Sequence, residues 1–184
     1  MKLIRTIIKK TFILPLFIIA LSASGCSDDD GGSTNNNPAA KGTLTCRING
    51  KEYNFSAMVS ANDKPSEATI HFVTIGGHES DDFKSPGFGF QLVSEEGAAT
   101  TTYTSADSEL YGNYYIQNLD SSGNILGTTT YHGNGSDGTG FTLNITSLTE
   151  WGVEGTFSGV LKLTGGEEYL TVTDGKFSAP YNGN

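Results

Sequence analysis

Cysteine, tryptophan and histidine are scarce in this chain: two, one and three in 184 residues. Two cysteines allow at most one disulfide, which excludes the cross-linked framework of many small exported domains. The histidines form no motif: His78-Glu79 lacks the second histidine of a zinc-protease helix, Asp82 standing at that spacing. His71 sits between Ile70 and Phe72, and His132 adjoins a turn. Basic residues are few, 11 against 20 acidic, which excludes the clustered cations that nucleic acid or an anionic membrane face needs. There is no apolar stripe at helical spacing, and no run of the roughly 20 apolar residues that a spanning helix takes.

What is present begins at the N-terminus. Lys2, Arg5, Lys9 and Lys10 precede an apolar stretch from Phe12 to Leu21, the pattern of a secretory signal. The following Ala23-Ser24-Gly25-Cys26 resembles a bacterial lipobox, which implies cleavage before Cys26 and acylation of its thiol. Multiple acyl chains hold a protein durably on a bilayer, each buried CH₂ adding about 0.8 kcal/mol. Ser27-Asp28-Asp29-Asp30-Gly31-Gly32 is similar to the acidic surface-export signal of Bacteroidetes-type lipoproteins. Residues 26–40 read as the lipidated cysteine and a flexible polar tether. Residues 41–184 are left as one domain of 144 residues.

Loss of residues 1–25 removes four basic side chains, leaving seven against twenty acidic, a net charge of −13. With Cys26 carrying lipid, Cys46 has no disulfide partner, so packing alone holds the domain.

Alternation with period two recurs from Leu44 to Phe177, which predicts an all-β domain. Asn49-Gly50 is the dipeptide of a type I′ hairpin. It sets Ile48 opposite Lys51, Arg47 opposite Glu52, Cys46 opposite Tyr53 and Leu44 opposite Phe55. Further strands are expected at 68–75, 88–93, 100–104, 110–118, 125–131, 141–148, 153–163, 169–173 and 176–179. About ten short antiparallel strands imply a two-sheet β-sandwich, with a lipocalin-like β-barrel as the alternative. The order of lipobox, acidic linker, the Ile48–Lys51 turn, Gly155-Thr156-Phe157-Ser158-Gly159 and Thr173-Asp174-Gly175-Lys176-Phe177 resembles an uncharacterised family of Bacteroidetes-type lipoproteins. That resemblance implies a β fold and an envelope location, and no catalytic residue.

Few motifs carry chemistry. Gly133-Asn134-Gly135-Ser136-Asp137-Gly138 fits G-x-G-x-x-G, but a strand follows it where dinucleotide binding needs a helix N-terminus. Glu79, Asp81 and Asp82 offer hard oxygens for calcium but lack the D-x-D-x-D-G spacing. No cofactor is expected, and Cys46 reads as packing. The strand around Leu110–Gln117 is the best binding surface. With Leu110, Tyr114 and Ile116 inward, Tyr111, Asn113, Tyr115 and Gln117 form an outward row. Rings cover sugar C–H faces and amides bond hydroxyls; Trp151 is a second platform or a plug at one end. These residues point to a non-enzymatic, lipid-anchored binding or interaction domain, of which glycan binding is the sharper version and ordinary cross-strand aromatic pairing the bland alternative for the row. The rivals are a hydrolase of extracellular polymer, for which Glu150 and Glu154 flank Trp151, and a structural lipoprotein docking on an envelope protein.

Overall fold

The computed structural model describes residues 42–62 and 70–182. The signal, Cys26 and the acidic tether lie outside the described residues. The described residues belong to one compact unit. Eleven strands follow in chain order: β1 Thr43–Ile48, β2 Lys51–Asn54, β3 Ala57–Ala61, β4 Phe72–His78, β5 Gly87–Val93, β6 Thr102–Thr104, β7 Glu109–Leu119, β8 Ile125–Gly133, β9 Gly140–Leu148, β10 Gly152–Leu163 and β11 Tyr169–Pro180. No helix occurs among the described residues.

The strands make one antiparallel sheet in the order β2-β1-β11-β10-β8-β7-β5-β4-β3. With β2 and β3 at its ends, the sheet does not close into a barrel. Strand β10 is the branch point. One edge pairs with β9 from Val153 to Val160 and then passes to β8 at Lys162 and Leu163, while β9 carries β6 on its far side. The two branches fold face to face as a β-sandwich. Phe88 and Phe90 of β5 meet Phe157 of β10 at ring distances of 5.1 and 5.2 Å, and Phe90 meets Phe177 of β11 at 5.1 Å. Strand β5 has no ladder with β10 or β11, so these rings touch across the interior. Leu44, Phe55, Leu92, Leu110, Leu143 and Leu161 complete a dry core.

The first hairpin has the expected register. Cys46 pairs with Tyr53, Arg47 with Glu52 and Ile48 with Lys51, and the Phe55 amide donates to Leu44 O. Asn49 and Gly50 have φ of 49° and 80°, as a type I′ turn requires. Thr171 N donates to Asn49 Oδ1 at 2.8 Å, pinning the turn to β11.

Three expectations are corrected. Residues 169–173 and 176–179 are one strand, because Asp174-Gly175 makes a bulge rather than a turn: both neighbouring ladders skip register there. Val172 and Phe177 are an odd number of residues apart and would face opposite sides of a regular strand. The extra residue brings both into the core, at 1% and 4% exposure. Strand β4 runs from Phe72 to His78 and continues through Gly76-Gly77, and His71 precedes it instead of lying within it. A side chain at Gly77 would strike Phe55 O, so that glycine marks a close backbone approach. Strand β3 was not expected, since Ala57-Met58-Val59-Ser60-Ala61 has little β-branched content and a bulge hides its alternation.

Candidate functional site

The outer faces of β4, β5, β7 and β8 bring their outward residues into ranks across the strands. His78, Gly87, Tyr115 and Thr130 form one rank by direct pairing; Gly76, Gly89, Asn113 and His132 form the next. Thr74, Gln91 and Tyr111 make a third. Because Gly76 and Gly89 face each other without side chains, the middle rank is a depression between two taller ones. It opens into a cleft of about 440 Å³. Asn113 and Gln91 supply amides, Thr74 a hydroxyl, and Tyr115, His78 and Phe83 rings, with Met58 at the margin.

The aromatic wall is built as a unit. A side chain at Gly87 would collide with the Tyr115 ring, so Tyr115 lies over the bare backbone instead of standing out into solvent. Its hydroxyl shares a hydrogen bond with His78 Nε2 at 3.1 Å. Partial burial raises the pKa of that hydroxyl. Phe83 meets the His78 ring edge-on at 5.2 Å, and Tyr115 meets it at 5.7 Å.

Among the described residues five that are not glycine have positive φ: Asn49, Met58, Phe83, Asp137 and Asp174. Asparagine and aspartate tolerate that region, whereas methionine and phenylalanine avoid it. Met58 and Phe83 both line this cleft, and both remain exposed, at 41% and 59%. Strain of this kind persists where surrounding structure imposes it and gathers at ligand sites.

Of the row expected on β7, Asn113 and Tyr115 line the cleft and Tyr111, 41% exposed, flanks it beside Gln91. Gln117 shares their face further along the strand, where its Oε1 accepts from Thr128 at 2.8 Å. Trp151 sits in the β9–β10 turn and does not line the cleft. Glu79, Asp81 and Asp82 lie in the β4–β5 loop. Asp82 Oδ1 accepts from Ser80 Oγ and from the amides of Lys84 and Ser85, which holds its pKa below the ordinary carboxylate value. Among the described residues no group of three or more His, Cys, Asp or Glu side chains could hold a metal ion. Gly133 ends β8 and residues 134–138 lie in the β8–β9 loop, which leads into a strand. Sequence reasoning missed His78, Phe83, Met58 and Gln91 as site residues. The available signal was Gly76-Gly77 and Gly87-Phe88-Gly89, glycines inside strands where only a close approach or an open floor explains them.

A larger groove of about 690 Å³ crosses β1, β2 and β11, with Arg47, Glu52, Asp174 and Lys176 along it. Arg47 bonds Glu52 and lies 3.7 Å from Asp174. No protein-family model matches this chain, and neither a curated protein nor a solved structure does.

Proposed function

We propose that this chain is a cell-envelope lipoprotein, anchored by lipid on Cys26, whose β-sandwich binds uncharged glycan in the cleft on β4, β5 and β7. The composition of the cleft carries the reading: rings on one wall, the Gln91 amide and Thr74 hydroxyl opposite, and between them a floor of Gly76 and Gly89 with the Asn113 amide at its side. Pyranose rings have apolar C–H faces and polar edges, and this arrangement complements both. No Asp, Glu, Lys or Arg lines the cleft among the described residues. Paired carboxylates of the kind that cut glycosidic bonds are therefore not assembled there. Glu154 lies on β10 and accepts from Ser178 at 3.1 Å. The reading is accordingly one of binding rather than hydrolysis.

The test uses the full chain in a zwitterionic detergent that has no sugar head group. Native gels containing neutral polysaccharides should retard the protein, and a Phe83→Ala, Tyr115→Ala double variant should run freely. Equal migration of both proteins across a broad panel overturns glycan binding. Incorporation of labelled palmitate, abolished by Cys26→Ser, tests the anchor separately.

Docking on an envelope protein is the second reading, favoured by the tip of the β7–β8 hairpin. Leu119, Ile125 and Leu126 are exposed there, Leu126 by 73%. Recovery of one stoichiometric protein after mild detergent extraction, lost in Leu126→Asp, would put that reading in place of the first.

A further inference from the structure

The glycine-floored depression is longer than the cleft at its centre. Gly76 pairs with Gly89, Gly89 with Asn113, and Asn113 with His132, so one rank crosses four strands at right angles to them. Three interstrand spacings of about 4.8 Å give a length of roughly 14 Å. The rank continues onto β10, where His132 pairs with Lys162 and its Nδ1 lies 3.1 Å from Thr164 Oγ1. A closed pocket would select one terminal sugar; an open trough admits a chain passing through.

Gly76 shows that the floor is open without being required by packing. A Cβ placed there would lie 3.6 Å from Phe88 O and 3.9 Å from Gly89 Cα, ordinary contacts. Its φ is not in the left-handed region that favours glycine. A strand position of this kind is better served by a β-branched residue, since glycine weakens strands. At Gly89, in contrast, a Cβ would come within 2.9 Å of Ile75 O. Packing thus accounts for Gly89 and leaves Gly76 to the trough.

We propose, resting on the glycan reading above, that the ligand is an internal stretch of a linear, uncharged glycan. It lies across β4, β5, β7 and β8, with successive sugar units over Gly76–Gly89, Asn113 and His132. Tyr115 flanks the chain on one side, and Gln91 and Tyr111 on the other. Charged glycans are disfavoured, because no Lys or Arg among the described residues lines the cleft, Lys162 beside His132 is already paired with Glu167 at 3.3 Å, and the chain carries an acidic excess.

Calorimetry of the full chain in zwitterionic detergent, with linear oligosaccharides of one to six units on glucose, mannose, xylose or N-acetylglucosamine backbones, tests this. In the recognised series, affinity should rise about tenfold or more from disaccharide to tetrasaccharide. His132→Ala should lower that tetrasaccharide-to-disaccharide ratio about tenfold. Gly76→Thr should abolish binding at every length with a melting temperature unchanged or raised. If Gly76→Thr does not fold, Asn113→Ala replaces it and should weaken every ligand longer than one unit at least tenfold. Affinity independent of length, or an unchanged ratio in His132→Ala, overturns the trough while the glycan reading stands. Failure of every series to bind overturns both.

Discussion

Met58 and Phe83 hold φ of 56° and 54°, angles that cost an ordinary side chain about 1 kcal/mol relative to extended backbone. Neither residue recovers that cost by burial, since both are exposed. Their contribution must lie in what they present at the cleft margin. Phe83→Gly removes the strain together with the ring. It should therefore raise the unfolding free energy of residues 36–184 by up to about 1 kcal/mol in urea titration. The same change should weaken glycan binding at least tenfold. A loss of stability would mean that the Phe83 ring, packed on His78 at 5.2 Å, is a structural prop. Opposite effects on stability and binding are the usual mark of a functional residue that the fold tolerates.

Two glycines separate turn chemistry from packing at the scale of single elements. Gly50, at φ 80°, has no atom within 4 Å of where a Cβ would be. Gly50→Ala should therefore cost only the conformational term, about 1 kcal/mol. Gly175 sits in the β11 bulge, where a Cβ would strike Phe157 O and the Phe157 ring. Gly175→Ala should cost about 3 kcal/mol, because backbone and a core ring would both have to move. Urea midpoints of the two variants should fall in that order. These two positions also show how far the sequence is legible. Asn49-Gly50 and Asp174-Gly175 look alike as dipeptides; only the hydrophobic phase on either side tells them apart. Val172 and Phe177 both reach the core only if Asp174-Gly175 inserts a residue. The β7 row was readable because Leu110 and Tyr114 mark the inward parity, so Tyr111, Asn113 and Tyr115 had to face out. The other half of the cleft was not readable. It depends on β4 and β5 lying beside β7, a pairing fixed by long-range topology, and on Phe83, a loop residue with no periodicity.

The whole molecule buries acidic protons that the unfolded chain would release. Burial pushes the Cys46 thiol from an ordinary 9.0 up to about 12. Burial likewise raises the hydroxyls of Tyr114, Tyr131 and Tyr181 above their ordinary 10.0. Each group stays neutral in the folded state while its unfolded counterpart ionises, so unfolding releases protons and stability falls as pH rises. The stabilisation is complete below about pH 9 and is lost progressively toward pH 12 and beyond. Melting temperatures of residues 36–184 should thus decline steadily above pH 9, and Cys46→Ala should reduce the slope between pH 9 and 12. An equal slope in that variant would show that the thiol is not the group being titrated.

Strand β1 finds its ladder partner in β11, with Thr43 opposite Ser178 and Ile48 opposite Val172. The first strand to leave the ribosome must therefore wait for the last, and loop closure across the whole domain precedes its docking. Until Tyr169–Pro180 emerges, the β1–β2 hairpin has only itself to pair with, and a lone hairpin is marginal in water. This wiring delays completion of the fold until synthesis is nearly finished, so the nascent chain stays open at its N-terminal edge for almost the whole of its making.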